Sequence, residues 1–151
     1  MKPFALSAAI IAALLASPGL AAPLAAPLAF DGAYQFTTTE RENGNPVCTE
    51  TWTFAAPDRM TVISGEEVVE KRFRTENDRD GDWLVARSLA TNGKPDCMGN
   101  ISDPPAPNEA ESRISILRFN DGSMLVCPPP GHTDDGIPVH GQCYASLYKL
   151  R

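Results

Sequence analysis

The sequence is short of positive charge, nearly free of histidine, and lacks any long apolar run beyond its first residues. Lysine and arginine number 13 against 19 aspartates and glutamates, a formal net charge of −6. A phosphate backbone or an anionic lipid surface is bound by clustered Lys and Arg, so this balance speaks against nucleic acid as a partner. The two histidines are His132 and His140. No two cysteines are spaced C-x-x-C, the commonest zinc framework, and no metal or other cofactor is expected. No G-x-S-x-G is found, and nothing assembles a nucleophile, a base and an oxyanion donor, so an enzyme is not expected. Helical periodicity is also missing; Asn108 to Arg113 has room for one or two turns at most.

The one apolar run is Phe4 to Leu15, interrupted only by Ser7. Lys2 precedes it, Pro18 and Gly19 break it, and Gly19-Leu20-Ala21 supplies small residues at the positions read for cleavage. This pattern predicts a signal peptide over residues 1–21 and a periplasmic or secreted destination. The run is shorter than the roughly 20 apolar residues that span a bilayer, so no membrane span is expected. No cysteine follows it closely, which excludes lipid attachment there. Loss of Lys2 on cleavage makes the remaining chain still more acidic.

Four cysteines are present, Cys48, Cys97, Cys127 and Cys143. An even number in an oxidising compartment predicts two disulfides, with three pairings open. The favoured set is Cys127–Cys143, which closes a Pro/Gly loop between two strands, and Cys48–Cys97, which ties a strand start to a long loop.

Residues 22–30 (APLAAPLAF) are Pro/Ala-rich and read as a flexible tail outside the core. Residues 31–151 read as a single β-barrel domain. Their texture is short β-type runs cut by turn residues. The runs are Ala33 to Thr39, Thr49 to Ala55, Met60 to Ser64, Glu66 to Thr75, Asp82 to Thr91, Ser112 to Phe119, Ser123 to Cys127 and Gln142 to Leu150. Asn43-Gly44 and Asn120-Asp121-Gly122 are hairpin signals. Asn92 to Glu109 holds too many Gly and Pro for a regular element. About eight strands with local connections predict an all-β fold, an antiparallel up-and-down barrel wide enough to be filled by side chains or to hold one small ligand.

The stretch Trp52 to Arg74 (WTFAAPDRMTVISGEEVVEKRFR), together with Thr91 to Asn100 (TNGKPDCMGN) and the strand Ser123 to Cys127, resembles small secreted lipocalin-like bacterial proteins. The likeness covers roughly Tyr34 to Tyr148. It implies a calycin-type barrel and ligand binding rather than catalysis, and it carries no catalytic residues.

Charged residues on apolar strand faces mark the candidate site, because a buried ionised group must be paired or lie at an open end. Glu50 shares a face with Trp52 and Phe54, Lys71 lies between Val69 and Phe73, and Arg87 shares a face with Trp83, Val85 and Leu89. The expected ligand-binding set is Glu50, Trp52, Trp83, Arg87 and Tyr144, with Arg87 holding an anionic head group by its planar fork. A small amphipathic ligand is the expected partner. Two alternatives stand beside it. One is a periplasmic protease inhibitor that uses residues 22–30, whose position resembles the N-terminal segment of small barrel inhibitors of secreted proteases. The other is a structural module of the cell envelope. The Asp78, Asp80, Asp82 run has a calcium-loop look, but Leu89 stands at the twelfth position where Glu is needed, so it reads as a solvated turn.

Overall fold

The structure is a computed structural model that describes residues 26–151. The expected signal peptide and residues 22–25 lie outside the described residues. Eight strands form the body: β1 (Gly32–Thr38), β2 (Thr49–Ala55), β3 (Arg59–Ser64), β4 (Glu67–Asp78), β5 (Gly81–Thr91), β6 (Ser112–Arg118), β7 (Met124–Cys127) and β8 (Ala145–Lys149). Each pairs antiparallel with the next, and β8 pairs back onto β1 through Tyr34–Lys149 to Thr38–Ala145, which closes the barrel. No helix occurs among the described residues. At Asn108 and Glu109, where a short helix had room, the backbone makes a single turn closed by the Glu109 amide on the Ala106 carbonyl at 3.0 Å.

Alternation builds the wall. In β2, Trp52 and Phe54 are buried while Thr49, Thr53 and Ala55 on the opposite face are exposed. Asn43 and Gly44 both have positive φ, 50° and 82°, the two-residue turn that joins the short ribbon Arg41–Glu42 to Asn45–Pro46. A second ribbon, Gly131–His132 with Pro138–Val139, lies in the loop between β7 and β8.

The end of the barrel at which β1 starts is solid. Phe30 stacks on Phe54 with centroids 4.3 Å apart, and Tyr34 and Phe73 meet Phe54 edge-on at 5.6 Å and 4.9 Å. Leu28 is only 5% exposed and belongs to the same cluster. This corrects the expectation of a tail outside the core, at least from residue 28 on. An open barrel end exposes apolar side chains, and covering it with one Leu and one Phe gains about 1.5–3 kcal/mol for each fully buried side chain. The composition of the tail did not reveal this role because Leu28 and Phe30 have no periodic neighbours.

Both favoured disulfides are formed, Cys48–Cys97 and Cys127–Cys143, and none of the four cysteines is free. The second joins the end of β7 to the chain just before β8. The first ties the chain ahead of β2 to the irregular segment between β5 and β6.

Candidate functional site

The other half of the barrel is hollow. A cavity of about 290 Å³ lies between the upper ends of β2 to β6 and the segment 96–109. Its walls are apolar: Trp52, Met60, Val62, Val69, Leu84, Ala86 and Ile114. Its upper rung is polar. Glu50 pairs across the sheet with Ser64, and Ser64 with Glu67, so the two carboxylates flank one hydroxyl on neighbouring strands. With strands about 4.8 Å apart, the backbones of the two glutamates are separated by roughly 10 Å.

Each polar group on this rung has a local partner. Glu50 Oε2 accepts from Trp52 Nε1 at 2.7 Å, and Glu67 Oε1 accepts from the Thr91 hydroxyl at 3.2 Å. Lower in the wall, opposite Met60, Lys71 Nζ donates to Ser88 Oγ at 3.2 Å. Ser64 donates its hydroxyl proton to Cys97 Sγ at 3.0 Å and accepts from the Cys97 amide at 3.2 Å. Phe36 stacks on the Trp52 ring at 4.8 Å, fixing the indole in the wall.

The segment 92–109 forms the rim. The Glu66 amide bonds the Pro95 carbonyl, and the Asn92 side chain bridges the Val68 amide and the Glu66 carbonyl, so the segment is stitched to the turn between β3 and β4. That turn is Gly65-Glu66. Gly65 has φ +60°, and its missing side chain lets the Asp96 and Cys97 backbone pass. Asp96 organises the rim. Burial works against its charge, but bonds from the Asn100 and Met98 amides outweigh burial and hold its carboxyl below the usual range. Asp103 and Glu109 complete the rim around the opening.

Of the expected ligand-binding residues, Glu50 and Trp52 line the cavity. Trp83 and Arg87 do not. In β5 the residues that line the cavity are Leu84, Ala86, Ser88 and, past the register slip, Thr91, so Trp83, Val85 and Arg87 face outward; Arg87 pairs with Arg72 on the outer surface. The register slips at Glu70/Lys71, which leaves Leu89 without a cross-strand partner. The face assignment failed for a physical reason: Asp82 to Ala86 is buried on both faces, so alternation cannot say which side is inner. The outer face is covered by the loop between β7 and β8. His140 Nδ1 lies 3.5 Å from Ser115 Oγ, and His132 Nε2 lies 2.9 Å from Asp80. Trp83 is buried beneath this side, its Nε1 donating to Asp78 at 2.9 Å and the Arg113 guanidinium 3.7 Å from its ring centroid. Tyr144 is half exposed and lines a separate depression with Thr38, Thr39 and Gln142. Burial raises its phenol above the ordinary value, and the Glu50 charge adds to the shift.

The two histidines do not converge: His140 bonds Ser115 on β6 and His132 bonds Asp80 in the turn between β4 and β5. The three aspartates of the Asp78 to Asp82 run also separate: Asp78 takes Trp83 and Arg113, Asp80 takes His132, and Asp82 takes Arg118 at 2.7 Å. Sequence reasoning missed Glu67, an acid at an inward position of β4 whose signal was its place two residues before Val69. It also missed the rim, because nothing local says where an irregular segment folds back.

No protein-family model matches the chain, and no curated protein or solved structure matches it.

Proposed function

We propose that this chain is a periplasmic or secreted lipocalin-like protein that binds one small amphipathic molecule inside its barrel and catalyses no reaction on it. The observation that carries this reading is the hollow half of the barrel, with mainly apolar walls and two carboxylates on its upper rung, beneath a rim held in place by a disulfide. Its volume is near the lower end of ligand pockets, about 300–1,000 Å³, which restricts the ligand to a small one. Two disulfides accord with an oxidising compartment. Among the described residues no helix is long and apolar enough to cross a membrane. Nothing on the molecule favours the inhibitor alternative in particular: Leu28 and Phe30, part of the segment it would use, are engaged in their own barrel.

The test uses tryptophan emission. The protein has two tryptophans, and only Trp52 lines the cavity. A Trp83→Phe variant therefore reports from the cavity alone. Titration with 2-phenylethylamine, 2-phenylethanol and phenylacetate should give a saturable change with at least one of the three. Ala86→Leu, which fills the cavity from the wall, should remove the change while the barrel still melts cooperatively. A flat response to all three probes sinks the binding reading.

A further inference from the structure

The charges around the cavity are lopsided. Among the described residues, Glu50, Glu67, Asp96, Asp103 and Glu109 line it, against Lys71 as the one cation. Lys71 is already bonded to Ser88, and among the described residues none of these six groups takes part in an ion pair. Acidic side chains on a surface mean little, because water solvates them. Glu67 is not on a surface: it is 6% exposed, and among the described residues its only side-chain partner is the neutral hydroxyl of Thr91. A buried carboxylate is costly unless a cation offsets it. Glu50 lies on the same rung across Ser64, bonded to an indole N–H rather than to a cation. Trp52 itself supplies aromatic surface of the kind that attracts an ammonium group.

We propose that the ligand's polar head is a protonated amine, seated between the Glu50 and Glu67 carboxylates, with its apolar body against Trp52 and the wall below. This rests on the reading of the cavity as a ligand site and adds the class of molecule it selects. An anionic head would meet the Glu50 and Glu67 carboxylates on the rung, with three more acids at the rim. A neutral head would strip water from Glu67 and Glu50 without offsetting their charge. An ammonium group donates up to three hydrogen bonds and does both. The arrangement reverses the expectation drawn from Arg87, which lies outside the barrel and faces away from the ligand.

The three phenylethyl probes share one apolar body and differ in head charge. Isothermal titration of the full chain, with its disulfides intact and at neutral pH, should show 2-phenylethylamine binding about tenfold or more tightly than 2-phenylethanol, the margin expected of charge-assisted hydrogen bonds. Phenylacetate should bind most weakly. Glu67→Gln should bring the amine down to the affinity of the alcohol and leave the alcohol unchanged, and Glu50→Gln should act in the same direction. If either substitution disturbs folding, the rim pair Asp103→Asn with Glu109→Gln touches no core residue. It should weaken amine binding by roughly threefold at low salt and by less at high salt. Equal affinity for amine and alcohol, or a preference for phenylacetate, overturns the amine proposal and leaves the cavity as a ligand site. Binding of none of the three overturns both.

Discussion

Gly65 is the residue on which the rim turns. A β-carbon there would lie 2.7 Å from the Asp96 carbonyl carbon and 2.8 Å from the Cys97 amide nitrogen, closer than real contacts allow. Gly93 also has positive φ, yet nothing lies within 4 Å of its absent side chain. Gly93→Ala should therefore cost only the left-handed backbone penalty, about 1–2 kcal/mol. Gly65→Ala should cost that plus roughly 1–3 kcal/mol of overpacking. Urea midpoints of the two variants compare them, and equal losses would show that the rim does not press on Gly65. Asp78 is a second single-residue case. The Trp83 N–H and the Arg113 guanidinium hold its carboxyl at about 2, against an ordinary 3.8. A carboxyl depressed in the folded state stabilises the protein above the unfolded value and loses that contribution as pH falls through the folded one. The stability gap between the protein and Asp78→Asn should hold steady above pH 4 or so and shrink between about 4 and 2. Denaturant titrations across that range measure it, and a gap independent of pH is the contrary result.

At the scale of elements, the strands and the loops divide the work. All eight strand positions follow from alternation and turn residues, and β2 falls where its Thr and aromatic alternation predicts, Thr49–Ala55. The face of β5 was not legible, because a strand covered on both sides loses the contrast on which alternation depends. What covers its outer side is a loop held by Cys127–Cys143, with a sequence separation of 16; what covers the cavity is a segment held by Cys48–Cys97, with a separation of 49. Chain-entropy arguments give about 3 kcal/mol for the shorter link and about 4 kcal/mol for the longer. Paired Cys→Ser substitutions should lower the melting midpoint in both cases. Only loss of Cys48–Cys97 should also weaken binding of the phenylethyl probes, since it frees the rim. If removing Cys127–Cys143 harms binding equally, the rim is not what the first disulfide holds.

For the whole molecule, closure matters most. A closed barrel has no edge strand to fray or to template aggregation. β8 and β1 join residues far apart in sequence, Lys149 with Tyr34. Amide hydrogen exchange should show β7 and β8 protected about as well as β4 and β5, while residues 98–108 and 133–137 exchange fast. Rapid exchange in β8 would mean the cylinder opens along the β1–β8 seam. The sequence by itself determined the strand count and the turns, because alternation and Asn-Gly are local properties; of the three cysteine pairings it left open, the structure forms the favoured one. It also placed Glu50 and Trp52 on an inward face. Tertiary structure alone decided that one end of the cylinder is plugged by Leu28 and Phe30 and the other left hollow. It alone turned Arg87 and Trp83 outward and set Glu67 beside Glu50. Those outcomes depend on register, closure and the return path of an irregular segment, which are fixed by contacts between residues far apart in the chain.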